Sequence, residues 1–338
     1  MADEVLIRCH CGQLNVTVQL RDELPCKGLM CHCNICRHVT GALTFTGISL
    51  LNPPADIFKT KLQEYATSSK ITRYFCPDCG SHVCYYVLEQ DRWCVCDGAI
   101  EEVKSGKSGS LQVITGHEFV GDTVDGGLSW TVPDVMCFFG ADNEEPMKDI
   151  RCELKRNLNK DVTAQEQEKL PAECHCSQVK LLISKRDPEY VAPNDTAFGA
   201  KGSSSDKWDG GICACRSCRL SVGQILMPWL SNVPFEKVAW SDGSAYVESK
   251  PHSSVKRFQS SDHAYREFCG KCGALVTWHS SKEPGTIDIA AGLLRASEGS
   301  LAKRWINWRT TSVHHTEDAV DTALVETVER KLDRLDNA

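Results

Sequence analysis

Apolar and polar residues alternate on both sides of Cys9-His10-Cys11, with Val5 and Ile7 before it and Leu14, Val16, Val18 and Leu20 after it. A period of two is the pattern of a half-buried strand, so the start of the chain predicts two short strands joined by a Cys-His-Cys turn. Val83 to Val87, Trp93 to Cys96 and Ile287 to Ala290 read as further strands. Helical spacing is scarce. It is clearest from Glu317 to Leu335, where Ala319, Val320, Ala323, Leu324, Val328 and Leu332 predict a C-terminal helix packed on the body of the protein. Residues 141–170 are polar and charged between Pro133 and Pro171, and predict a linker with some helix. The stretch Gly199 to Asp206, ending near Gly210-Gly211, predicts a mobile surface loop, or more sharply a lid. The expected architecture is mainly β: a first domain over 1–140, the linker, and a second domain over 171–338 that carries the helix.

The cysteines sharpen this division. Cys31, Cys33 and Cys36 form a triplet between two pairs, Cys9/Cys11 and Cys76/Cys79. The set returns as Cys174/Cys176, then Cys213, Cys215 and Cys218, then Cys269/Cys272. Other residues keep the same register. Arg37 and Arg219 each follow a triplet, Gly41 and Gly223 lie ten residues past its first cysteine, and Arg73-x-Phe75-Cys76 matches Arg266-x-Phe268-Cys269. Tyr65 and Phe258 each precede the last pair by eleven residues. Such a repeat predicts two domains, each long enough to bury a core.

Thiolates are soft donors that suit zinc. Seven cysteines divide naturally into four that close a structural site and three that leave a position for water or a thiol. Cys9, Cys11, Cys76 and Cys79, and likewise Cys174, Cys176, Cys269 and Cys272, are expected to hold structural zinc, which contributes on the order of 10 kcal/mol in small metal domains. The two triplets are expected to hold metal for chemistry, giving up to four zinc ions per chain. Gly80 and Gly273 end the knuckles, where a tight turn favours positive φ. Cys26, Cys84, Cys94, Cys96, Cys137 and Cys152 have no counterparts in the second half and read as small buried residues.

The formal charge is −7. Fourteen thiolates and four divalent ions would deepen it by six. That is a poor footprint for nucleic acid. No run of 18 apolar residues occurs, and the start Met-Ala-Asp-Glu-Val-Leu-Ile-Arg lacks the basic head and apolar stretch of a signal peptide. A cytoplasmic protein with no membrane partner is expected, in a reducing compartment where cysteines bind metal.

The order Cys-x-Cys, Cys-x-Cys-x-x-Cys-Arg with a glycine behind it, and Arg-x-Phe-Cys-x-x-Cys-Gly resembles the glutathione-dependent formaldehyde-activating enzyme family, which includes centromere protein V-like proteins. The resemblance covers roughly residues 5–130 and 171–320. It implies tandem β-tent (Mss4-like) domains and a zinc-dependent carbon–sulfur lyase that joins glutathione to formaldehyde, giving S-hydroxymethylglutathione, or handles another thiol adduct. Cys31, Cys33, Cys36, Cys213, Cys215 and Cys218, with Arg37 and Arg219, are the expected catalytic set. Arg73 and Arg266 are expected to compensate the cysteine charge or receive substrate carboxylates.

Other readings stay open. A closed triplet completed by His38 is possible only in the first repeat, since its counterpart is Leu220. His32 aligns with Ala214 and is expected to sit behind the ligands or be exposed, while His10 and His175 should point away from their metals. Trp93 and Trp130 serve the first half, and Trp229, Trp240, Trp278, Trp305 and Trp308 the second, mostly as core. A non-enzymatic scaffold of the centromere protein V type is the competing class. Pairing of the two repeats could mimic a dimer.

Overall fold

A computed structural model of the chain describes residues 2–54, 56–104, 109–142, 144–148, 150, 154, 167–190 and 206–337. Among the described residues the strands form five sheets, and helices are few and short. The N-terminal alternation becomes an antiparallel pair, Glu4–Arg8 with Asn15–Gln19, and Ile100–Val103 joins its other edge. The second repeat opens in the same way with Lys169–Glu173 paired to Lys180–Ser184. That strand begins two residues inside the stretch expected as linker. Most of the linker, with Cys152, and residues 199–205 of the expected loop lie outside the described residues. Gly210 and Gly211 belong to the buried strand Trp208–Cys213, not to a loop end.

The larger sheet differs between repeats. In the second, seven strands are continuous, because Met227–Pro234 is eight residues long and pairs with Trp208–Cys213 on one side and Thr286–Ala290 on the other. In the first, the matching strand Gly47–Ser49 has three residues. It reaches Arg92–Cys96, but only the single bridge Cys31 to Phe45 ties it to Cys26–Cys31, so the layer divides into sheets of five and three strands.

Each triplet sits where a strand ends and a short helix begins. Cys33 caps the helix Asn34–Thr40, its sulfur accepting from the Cys36 N–H, and Cys215 caps Arg216–Val222 by accepting from Cys218. Gly41 and Gly223 end these helices in the left-handed region, with φ of 95° and 70°. A capped turn explains the ten-residue spacing shared by the repeats.

The repeats embrace reciprocally. The helix Asn34–Thr40 lies on the turn Ala291–Leu293 of the second repeat, and Arg216–Val222 lies on Asp97–Ala99 of the first. We call these contacts joint one and joint two. At their centres backbone meets backbone: Gly292 N–H donates to Gly41 O at 2.9 Å and Gly98 N–H to Gly223 O at 3.2 Å. A Cβ on Gly292 would stand 2.1 Å from Ala42 O, and one on Gly98 would stand 2.2 Å from Gln224 N. Neither position can carry a side chain without parting the repeats.

The tails cross as well. Asp125 accepts from Leu301 N at 2.8 Å in the second repeat, and Asp321 accepts from Leu111 N at 3.0 Å in the first. Asp321 also caps the helix Thr322–Glu329 by accepting from Leu324 N. The C-terminal helix therefore starts later than its apolar spacing predicts. Ala319 and Val320 precede it and Ala323 is exposed, while Leu324, Val325, Val328 and, in the turns beyond, Leu332 and Leu335 are buried. A side chain that must cap a helix and a neighbouring strand sets the start more firmly than periodicity does.

Candidate metal and thiol sites

Among the described residues four clusters of sulfur assemble, with the cysteine groupings that the spacing predicts. Cys9, Cys11, Cys76 and Cys79 lie with every Sγ within 4.8 Å of the others, as do Cys174, Cys176, Cys269 and Cys272. Cys9 to Cys11 and Cys11 to Cys76 are 3.5 and 3.6 Å, and Cys176 to Cys269 is 3.5 Å. Four sulfurs each about 2.3 Å from one ion stand roughly 3.8 Å apart, so the spacing fits a tetrahedral thiolate site. Every described cysteine is free of disulfide. The Leu14 and Val179 N–H groups donate to Cys9 and Cys174 sulfur at 3.2 and 3.4 Å, as second-layer donors to thiolates do.

Cys31, Cys33 and Cys36, and Cys213, Cys215 and Cys218, form three-sulfur clusters within the same limit. Among the described residues no fourth Cys, His, Asp or Glu meets it at either triplet. His38 turns to the opposite repeat, where its Nδ1 takes a hydrogen bond from Arg295. His32 is fully buried, and its Nε2 meets His117 Nδ1 at 3.0 Å.

Arginine marks the third cysteine of each triplet. Arg73 Nη2 donates to Cys36 Sγ at 2.9 Å, and Arg266 Nη2 to Cys218 Sγ at 3.4 Å. Hydrogen bonds from Cys31 and Cys33, helped by Arg73, hold the Cys36 thiol well below its ordinary range against the opposing effect of burial. Cys218 is lowered in the same way by Cys213 and Cys215, helped by Arg266. The guanidiniums are backed by aromatic faces: Arg73 lies 4.0 Å from the Phe45 centroid and Arg266 5.8 Å from that of Trp229. Arg37 and Arg219 do something else. Neither hydrogen-bonds a cysteine sulfur among the described residues. Arg219 donates to Gly98 O and Ile100 O at 3.0 and 2.6 Å, across joint two.

The histidines between ligands point away from their own sulfurs, as expected, and into the other repeat. His10 Nδ1 meets Ser221 Oγ at 3.1 Å and its Nε2 meets Ser217 Oγ at 3.3 Å, beside triplet two. His175 Nδ1 meets Tyr65 Oη at 2.8 Å. The rings of Phe258 and Tyr65 stand edge-on to His10 and His175 at 5.1 and 5.7 Å. The knuckle glycines follow the same exchange: Gly80 has φ 76°, and a Cβ there would meet the Phe268 ring at 2.5 Å, while Gly273 has φ 79° and Phe75 at 2.6 Å.

Two residues near the triplets were not legible in the sequence. Glu118 and His314 are the parallel register partners of Cys31 and Cys213. Burial raises the Glu118 carboxyl to about 7, partly offset by a hydrogen bond from Cys31. The available signal was spacing: Glu118 to His314, Asp122 to Asp318 and Asp125 to Asp321 share one offset, in a region with no cysteine to anchor an alignment.

Of the tryptophans, Trp229, Trp240, Trp305 and Trp308 are buried, as is Trp208, whereas Trp93, Trp130 and Trp278 are half-buried. The unmatched cysteines Cys26, Cys84, Cys94, Cys96 and Cys137 are all buried. Among the described residues no helix is long and apolar enough to cross a membrane.

The family model for the glutathione-dependent formaldehyde-activating enzyme matches residues 4–110 and 201–309. The second match starts after Cys174 and Cys176, so it is geometry that adds this pair to Cys269 and Cys272. A crystal structure of a Rhodobacter sphaeroides protein aligns with 41% of this chain and 99% of its own, at 14% identity and a TM-score of 0.26. No curated protein matches the chain.

Proposed function

Because the chain belongs to the glutathione-dependent formaldehyde-activating enzyme family, we propose that it is a zinc-dependent carbon–sulfur lyase acting on a thiol adduct of the glutathione type. The observation that carries this reading is the unequal sulfur count: four in each knuckle and three in each triplet, with no fourth Cys, His, Asp or Glu at the same mutual spacing among the described residues. When bound at a triplet, zinc would favour the thiolate form of a substrate thiol and polarise an electrophile.

The chain's own groups supply the rest. The reaction joins a thiol to an aldehyde: the sulfur lone pair forms the carbon–sulfur bond, the carbonyl π electrons move to oxygen, and oxygen gains the proton that sulfur loses. Cleavage is the reverse. Three cysteines on one capped turn hold the site from one side and leave the other to substrate. Arg73 and Arg266 offset the negative charge of the cluster through Cys36 and Cys218. The knuckle sites, closed by their own sulfurs, support the fold.

Cobalt in place of zinc tests this reading. Titration with glutathione is expected to change the visible spectrum, and the change should be lost when Cys33 and Cys215 are both replaced by serine. A spectrum indifferent to glutathione, or turnover unchanged in the double variant, would instead support a zinc scaffold.

A further inference from the structure

The two joints are built from matching positions but different charges. In joint two, Glu101 serves as a built-in anion: its carboxylate meets Arg216 at 2.6 Å and Arg219 at 3.3 Å. The matching position in joint one is Arg295. It donates through Nη2 to Glu173 O at 3.1 Å and through Nη1 to His38 Nδ1, and no carboxylate pairs with it among the described residues. Arg37, the counterpart of Arg219, is 4% exposed, and its Nε and Nη1 have no hydrogen-bond partner. Its remaining fork atom, Nη2, donates to Asn34 Oδ1.

His38 is also 4% exposed, and since its Nδ1 accepts from Arg295 the ring carries its proton on Nε2, which is unpartnered too. In joint two that position is Leu220, which needs no partner. Asp122 and Asp125 act on Arg37 electrostatically. They are engaged elsewhere, Asp122 by Asn34 N and Asp125 by Leu301 N and Gly127 N. Asp318 stands near Arg219 in the same way, so these acids do not distinguish the joints.

Buried guanidinium donors without partners are costly, and a carboxylate satisfies them two at a time. We propose that joint one is a carboxylate-binding subsite formed by Arg37, His38 and Arg295 from both repeats. The carboxylate it takes belongs to the thiol substrate of triplet one. Joint two displays the occupant's chemistry, because there a glutamate of the chain itself fills the corresponding place. Cys33, in the triplet, and Arg295, at the joint, both keep partial exposure. The inference makes repeat one the half that accepts a carboxylate-bearing thiol, while the equivalent place in repeat two is already taken. Assignment of the carboxylate to the substrate rests on the lyase reading; the existence of the subsite does not.

Succinate, which has no thiol, tests the subsite in the zinc-loaded full chain by calorimetry at constant ionic strength. Wild type is expected to bind it. Arg295→Glu, which copies joint two into joint one, should fold and weaken binding by at least ~30-fold, and Arg295→Gln should weaken it in the same direction. Absence of succinate binding by wild type, or wild-type affinity in both variants, overturns the subsite. Glutathione binding should weaken in parallel. If Arg295→Glu weakens succinate alone, the assignment to the substrate falls, whereas a failed cobalt and glutathione test leaves the succinate result standing.

Discussion

Joint one and joint two pair a capped helix with a glycine turn through the same backbone contact, yet one is neutralised from within and the other is not. Equal backbones with unequal side chains show which part of the duplication is structural. Gly98 and Gly292 cannot change without parting the repeats, whereas Glu101 and Arg295 stand at matching places with opposite charge. Motif residues that look like parts of a metal site also build the contact. Phe75 and Phe268 fill the space over the opposite knuckle glycines, and His10 and His175 reach the opposite repeat.

The comparison can be broken most severely at the knuckles. Cys79→Ser and Cys272→Ser are each expected to release one metal equivalent and to cost several kcal/mol, up to on the order of 10, read by metal analysis and thermal melting. A knuckle whose loss leaves the melt unchanged would show that the two closed sites do not carry the fold equally. Gly98→Ala and Gly292→Ala should each cost about 3 kcal/mol, because the added Cβ meets backbone that cannot give way. Tolerance of either change in a denaturant titration would mean that the joint there is loose.

Next in size is Glu101→Gln, expected to cost about 2 kcal/mol by leaving the largely buried Arg219 without its carboxylate. Arg295→Gln breaks no ion pair and should cost less than ~1 kcal/mol. Equal costs in parallel melts would remove the charge distinction between the joints.

Asp97 sharpens the contrast by pH. It is 1% exposed, and burial raises its carboxyl to about 7, with a hydrogen bond from Thr46 opposing; its counterpart is Ala291. The folded state therefore holds this proton more tightly than the unfolded chain, so its contribution is full below pH 4 and is lost as pH rises through 7. Asp97→Asn should remove that loss and be more stable than wild type at pH 8 by up to about 4 kcal/mol, with the difference vanishing near pH 4. A difference independent of pH across that window would place the titration elsewhere. Among the smaller effects, Tyr65→Phe gives His175 the phenyl environment that His10 already has, and should cost about 1 kcal/mol. No measurable change in a melt would show that the hydroxyl contact is dispensable.

The sequence by itself determined the local rules. Cysteine spacing determined which sulfurs could share an ion, alternation determined the hairpin around Cys9 and Cys11, and the matched offsets determined that the unit occurs twice. These features are short-range, and both a metal site and a strand state their requirements within a few residues. Only the tertiary structure decided that Arg219 turns to Glu101 while Arg37 faces Arg295, that Phe75 meets Gly273, and that Asp321 caps a strand as well as a helix. Those choices depend on which residue of the other repeat arrives opposite, and docking two surfaces brings together positions that no local period connects.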